Sequence, residues 1–279
     1  MHLNGALVPT EDAKVSIFDA GFGMGDGVWE GLRLHKGALL FLDAHLDRLS
    51  AGAAAIRIDI GLTREEMVAA LRELCEANGM TDGGHLRLMV TRGRKASINQ
   101  DPRNALGKAT IAITAEFKQS VPGPGLVLRS VPTRTTGPEM FDMRLNSHSR
   151  LGLIRALLKA IDLGGDEALM LDPQGNIASC NATNFFWVKQ GTVFTAGDTY
   201  CFNGITRGNV IAMGGVVQGD FPLGHVAEAD EAFVTGTMGG VTSVREIDGR
   251  ALAAGPVTAK IAAAYAAMKD ADAEANPLW

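Results

Sequence analysis

Asn203-Gly204-Ile205-Thr206-Arg207 carries the chain out of a loop and into a helix. The first N–H groups of a helix have no partner within it, and the helix dipole puts positive potential at that end, so this turn reads as a seat for an anion. A second segment, Thr235-Gly236-Thr237-Met238-Gly239-Gly240, closes an apolar run from Glu231 with small residues whose amides and hydroxyls can surround the same anion. Either segment alone is weak, because Gly-x-Thr turns are common in purely structural roles. Together they point to a pocket for a phosphorylated small molecule.

Working outward, the second half of the chain alternates short apolar runs with turns. Leu126 to Val131, Ala168 to Leu171, Phe185 to Val188, Thr192 to Thr195 and Glu231 to Thr235 read as strands. Pro173-Gln174-Gly175 and Gln190-Gly191 supply turns. Helical spacing predicts helices over Ser147 to Asp162, Gly204 to Met213 and Val257 to Met268, the last with Pro256 at its first position. Upstream, Ala6-Leu7-Val8 after a tight turn and Val15 to Phe18 read as short strands. Gly21, Gly23, Gly25, Gly27 and Gly31 suit backbone packed closely against its surroundings. His35-Lys36-Gly37 marks a hairpin, and Asp43 reads as the N-cap of a helix through Leu46, Leu49, Ala53 and Ile56. Thr63-Arg64-Glu65-Glu66 is a capping box that opens a second helix to about Asn78, while His85 to Thr91 and Ala109 to Glu116 read as paired strands around a loop from Arg92 to Gly107. The proline- and glycine-rich Gln119 to Gly125 breaks the pattern. The expected organisation is an N-terminal α/β domain over 1–118, a linker and first strand over 119–133, and a C-terminal domain over 134–279.

A chain of 279 residues with 46% hydrophobic and 20% charged content can bury real cores, and a formal charge of -5 offers no field for nucleic acid or an anionic membrane. The N-terminal residues lack a secretory pattern, and no stretch reaches the roughly 18 apolar residues of a membrane helix, so a cytoplasmic protein acting on a small molecule is expected. Cys75, Cys180 and Cys201 match neither a disulfide framework nor a zinc site; no metal is expected.

In order along the chain, Gly25-Asp26-Gly27-Val28-Trp29-Glu30-Gly31, His45-Leu46-Asp47-Arg48-Leu49, Gly165-Asp166-Glu167-Ala168-Leu169, Asn184-Phe185-Phe186, Gly204-Ile205-Thr206-Arg207, Ala229-Asp230-Glu231 and Thr235-Gly236-Thr237 resemble the class IV aminotransferases. These are the fold-type IV pyridoxal phosphate enzymes, among them branched-chain and D-amino acid aminotransferases and aminodeoxychorismate lyases. The resemblance implies a two-domain α/β (α+β) fold, with a small N-terminal α/β domain and a larger C-terminal domain holding a mixed sheet or pseudo-barrel. It implies a homodimer, pyridoxal 5'-phosphate or pyridoxamine phosphate as cofactor, and an amino acid and a 2-oxo acid as substrates. Arg48, Ile205, Thr206 and Thr237 would surround the cofactor phosphate, with Ser179, Asn184, Gly204 and Met238 also at the cofactor. Phe22 and Met24 would line the substrate pocket, and Arg92, Arg94 and Lys95 would lie near the substrate carboxylate.

Two positions depart from the family. Its lysine, whose amine forms an imine with pyridoxal and moves the proton, precedes the second-domain helix. The matching segment here is Met143-Arg144-Leu145-Asn146-Ser147-His148. The closest reading puts Arg144 there, and a strict count back from Glu167 lands on Leu145 or Asn146; none is lysine. A guanidinium stays protonated and can only bind. Of nine lysines, Lys159 stands fifteen residues along a helix, about 22 Å away, and only Lys95 is placed near the pocket by the resemblance. The family glutamate that meets the pyridine nitrogen falls on Ser179, whose neutral hydroxyl would leave the ring a weaker electron sink. Three readings therefore stand: a transaminase with the lysine role displaced or lost, a lyase or hydrolase using Arg144 to hold an anionic substrate, and a non-catalytic carrier of pyridoxal or pyridoxamine phosphate.

Overall fold

The computed structural model describes residues 1–119 and 123–279. Ser120, Val121 and Pro122, inside the expected linker, lie outside the described residues. The backbone divides into two compact units. One comprises Met1–Ser120, Leu145–Arg150 and Lys269–Trp279, and the other Val121–Arg144 and Leu151–Met268.

The first unit holds β1 (His2–Leu3), β2 (Ala6–Leu7), α1 (Ala20–Met24), β3 (Gly27–His35), β4 (Ala38–Leu39), α2 (Leu42–Ala55), α3 (Arg64–Ala77), β5 (Gly84–Thr91) and β6 (Thr110–Phe117). Its strands form an antiparallel sheet in the order β2-β1-β6-β5-β3-β4. Along β3 the burial alternates with period two, so Val28, Leu32 and Leu34 face α2 and α3, joined in one core by Leu86, Leu88, Leu46, Leu49, Leu71 and Leu74. Glu30 shares that inward register. The Thr63–Glu66 capping box is present in both directions at the start of α3.

The second unit holds β7 (Leu126–Arg134), α4 (Leu151–Asp162), β8 (Glu167–Leu171), β9 (Ile177–Cys180), β10 (Asn184–Lys189), β11 (Thr192–Ala196), α5 (Ile205–Ala212), β12 (Val216–Gly219), β13 (Glu231–Gly236), β14 (Gly240–Ile247), β15 (Arg250–Ala251) and most of α6 (Pro256–Ala275). Its mixed sheet runs β12-β11-β10-β13-β14-β7-β8-β9, with β15 on β14. The β7–β8, β7–β14 and β11–β12 pairs are parallel. The middles of β10 and β13 (Phe185–Val188 and Ala232–Val234) are apolar because both faces are covered. Phe185, Trp187, Ala232 and Val234 enter one core, while Phe186, Val188 and Phe233 enter another with Val210 of α5 and Ile261 of α6. Glu231 accepts hydrogen bonds from the amides of Val257 and Thr258 and so caps α6 from the sheet.

Four local expectations are corrected. Val15 to Phe18 is not a strand, and its apolar side chains are exposed. Phe41, in the left-handed region at φ 52°, is the N-cap of α2, while Asp43 sits in the first turn where an acidic side chain complements the dipole. The helix expected from Ser147 begins at Leu151, because tertiary pairing claims the preceding backbone: Trp29 N donates to Asn146 O and His148 N to Gly27 O. The terminal helix runs on from Met268 to Ala275. Among the described residues, no helix is long and apolar enough to cross a membrane.

Candidate functional site

In the second unit, strand ends and a helix start converge. Gly204 is the N-cap of α5, and no side chain caps the helix, which leaves its first amides directed outward. Asn184, the first residue of β10, fixes the turn before it by donating its side-chain amide to the Phe202 carbonyl (2.7 Å) and to Cys201 Sγ (3.3 Å). The fit is close enough that a Cβ on Gly204 would stand 2.1 Å from Asn184 Oδ1, so glycine is required here by space and not by φ. Arg207 ties the same helix to the sheet, donating to the Ala196 carbonyl and pairing with Asp198.

Asn184 also pairs with Thr235 across the β10–β13 ladder, which puts the turn after β13 beside α5. Tyr265 of α6 touches both sides. Its hydroxyl lies 3.3 Å from Thr206 Oγ1, and its ring lies against Gly240, at the far end of the Thr237–Gly239 turn. Thr235, 1% exposed, has an Oγ1 with no hydrogen-bond partner among the described residues. Buried hydroxyls are normally satisfied, so this one has hydrogen-bonding capacity that a ligand oxygen would fill. Of the expected cofactor residues, Asn184, Gly204, Ile205 and Thr206 are therefore brought together beside the turn that carries Thr237 and Met238. Thr235 lies inside the Thr235–Gly240 segment but carries no local signal of its own, and only the fold brings Tyr265 to this place.

Ser179 is buried in β9, and its hydroxyl donates to the Thr183 carbonyl at 3.0 Å. Beside it, Glu167 accepts from Thr183 Oγ1 at 2.7 Å, and burial pushes its carboxyl above the usual range.

In the first unit, the polar centre is Glu30, 0% exposed. It accepts from Arg48 Nε (2.8 Å) and Nη2 (2.7 Å) and meets His45 Nδ1 at 2.6 Å. Burial raises its carboxyl, but the bonds from His45 and Arg48 outweigh that and hold it below the ordinary range. Arg48, expected on the cofactor phosphate, is thus held through two of its nitrogens by this carboxylate. Asn146 is 5% exposed, with Nδ2 3.5 Å from Glu30 Oε1 and Oδ1 accepting from Arg150 Nη2. Arg150 and Arg87 both lie over the Trp29 ring, and burial, then Arg87 and Arg48, bring Arg150 down to about 10.

Arg144, in contrast, belongs to the second unit. Its side chain is 49% exposed and closes on Asp142, two residues back. Arg92, Arg94 and Lys95 are not drawn together. Arg92 clamps Asp26 and the carbonyls of Ile56 and Arg57, Lys95 is buried with Nζ donating to Asn99 O, and Arg94 is exposed. Lys95 is accordingly held inside its own loop. Phe22 and Met24 lie exposed on α1. The glycines around them are tightly placed as expected: a Cβ on Gly27 would sit 2.5 Å from the Val90 carbonyl.

The residues fit a phosphate ester, with amides, hydroxyls and a glycine cradle.

Comparison with known proteins bears on this arrangement. Residues 27–247 match the family described as amino-transferase class IV. The chain is 38% identical over 285 residues to branched-chain-amino-acid aminotransferase-like protein 2 of Arabidopsis thaliana, covering 98% of this chain and 51% of that one. It spans about half the length of the two Arabidopsis thaliana relatives it matches. Its backbone is similar to that of the branched-chain aminotransferase of Thermoproteus uzoniensis, solved with norvaline (TM-score 0.90, 29% identity, 100% and 98% of the two chains). It is also similar to a T.th. branched-chain amino acid aminotransferase solved with pyridoxamine 5'-phosphate (TM-score 0.87, 27% identity, 95% and 91%).

Proposed function

Because the chain belongs to the amino-transferase class IV family, we propose that it binds pyridoxal 5'-phosphate or pyridoxamine phosphate through the phosphate ester and takes an amino acid and 2-oxo acid pair of branched-chain type, without an enzyme–lysine imine. The observation that carries the reading is the α5 start, uncapped, braced by Asn184 and flanked by the orphan hydroxyl of Thr235. When bound, the cofactor supplies an electron sink for bonds at the substrate α-carbon. The amides of Ile205 and Thr206 and the hydroxyls of Thr206 and Thr237 bind and orient the ester. Ser179 Oγ, spent on the Thr183 carbonyl, provides no negative charge for a ring nitrogen. The substrate class rests on the names of the relatives and neighbours.

Asn146 takes the place of the family lysine in this reading. It is buried beside Glu30 and Arg150 on backbone pinned to β3, whereas Arg144 is half exposed and folded onto Asp142. Asn146→Lys, incubated with pyridoxal phosphate and borohydride, is expected to gain a covalent adduct by mass and to transaminate L-valine or L-leucine with 2-oxoglutarate. The parent is expected to bind pyridoxal phosphate reversibly, with no adduct. Capture by Arg144→Lys and not by Asn146→Lys overturns the placement, and an adduct on the parent overturns the loss of imine chemistry.

We also infer a homodimer, as the family resemblance implies. Its support in this chain is a second apolar seam on α4: Leu151, Ile154, Leu158 and Ile161, at 3-4-3 spacing and each more than half exposed, opposite the face that packs Ala156 and Ala160.

A further inference from the structure

We propose that Tyr265 is a positioning residue of the anion seat, holding the Thr206 hydroxyl so that its proton is presented to a phosphate oxygen. The inference rests on the phosphate reading above and adds a residue to it. Tyr265 and Thr206 are each 3% exposed, and their oxygens are 3.3 Å apart. A threonine hydroxyl has one proton and two lone pairs. When the phenol donates to Thr206 Oγ1, one lone pair is filled and the threonine proton is left for a ligand. A hydroxyl that receives a hydrogen bond is also a stronger donor, and more so in a site shielded from water.

The position of Tyr265 gives it a second constraint. Gly240, at φ +64°, leaves room for its ring: a Cβ there would come within 3.1 Å of Tyr265 Cε1. The ring therefore spaces the turn after β13 from the start of α5, while the hydroxyl sets the rotamer of one donor between them. Thr235 belongs to the same layer, because Glu231, Phe233 and Thr235 alternate toward α5 and α6 along β13, where Glu231 caps α6 and Phe233 packs with Val210 and Ile261. α6 thus takes part in the site through one side chain near the middle of its length.

Isothermal titration of the full chain with pyridoxamine phosphate, inorganic phosphate and pyridoxamine tests this, using the parent, Tyr265→Phe, Thr206→Val, Thr206→Ser and the Tyr265→Phe/Thr206→Val double variant. Tyr265→Phe keeps the ring and should weaken both phosphate ligands by about threefold to tenfold, the worth of one net hydrogen bond, with pyridoxamine unchanged. On the Thr206→Val background the same change should have no further effect, whereas on Thr206→Ser it should persist. Parent-like affinity in Tyr265→Phe, or an equal loss with Thr206 present and absent, overturns the inference and leaves the phosphate seat standing. Failure of the parent itself to bind either phosphate ligand overturns the seat, and this inference with it.

Discussion

Gly204→Ala puts a methyl group into space already held by Asn184 Oδ1, 2.1 Å from the ideal Cβ position. Ordinary contact requires a retreat of more than about an ångström, and either neighbour can make it. If Asn184 swings away, its amide loses the Phe202 carbonyl and Cys201 Sγ, about 0.5–1.5 kcal/mol for each bond, on top of about 1–3 kcal/mol for overpacking. If the start of α5 moves instead, its amides leave hydrogen-bond range of the phosphate, each charged bond being worth about 1.5–3 kcal/mol. The expected result is a loss of about 2–6 kcal/mol in urea denaturation, with pyridoxamine phosphate affinity lower by about tenfold to a hundredfold. Asn184→Ala in the same chain removes the obstruction, so the double variant should be more stable than the sum of the single losses implies. A Gly204→Ala protein with the parent's denaturation midpoint and the parent's affinity refutes both the crowding and the role of α5 as the seat.

Glu30→Ala strips Arg48 and His45 of their buried carboxylate and should cost about 3–5 kcal/mol by chemical denaturation, with Glu30→Gln falling between it and the parent. Because burial raises the Glu167 carboxyl above its unfolded value, the folded state holds that proton more tightly; its contribution is present at acid pH and is lost as pH rises through the folded value. Glu167→Gln should therefore melt higher than the parent at pH 8 and converge with it near pH 4, and a difference that grows on acidification contradicts the assignment. Leu158→Glu, on the outward seam of α4, should give a monomer by sedimentation with an unchanged circular dichroism spectrum; a parent that is already monomeric, or a variant that stays dimeric, removes the seam as the interface.

Periodicity made most of the fold legible. The capping box at Thr63, the paired strands around Arg92 to Gly107 and the apolar runs of β10 and β13 needed no tertiary information. The helix start at Gly204 was legible for the same reason, since it is a local property of Gly204 and its neighbours. What long-range contacts decide was not. Ser147 to Arg150 carry a helical pattern but are held by β3, β9 and β12 hide in four-residue runs, and β14 is a mixed polar stretch that its pairing defines. The charged residues show the same divide. Arg48, Arg92 and Lys95 look alike as candidate ligands in a string of letters, yet each has acquired an internal partner: Glu30, Asp26 and the Asn99 carbonyl. A guanidinium signals anion affinity, and only folding determines which anion claims it. Tyr265 was invisible because a lone tyrosine in an alanine-rich helix has no pattern to announce it.

Strand β13 has a task at each end. Near its start Glu231 anchors the first amides of α6, and beyond its last residue the chain turns through Thr237, within a ladder that also fixes Asn184. The donors of the proposed seat are consequently immobilised when the sheet forms and not when a ligand arrives. Association then needs little loop ordering, which favours rapid capture and amide exchange that slows on saturation only at the first turn of α5, while the surrounding ladder is already protected in the empty protein.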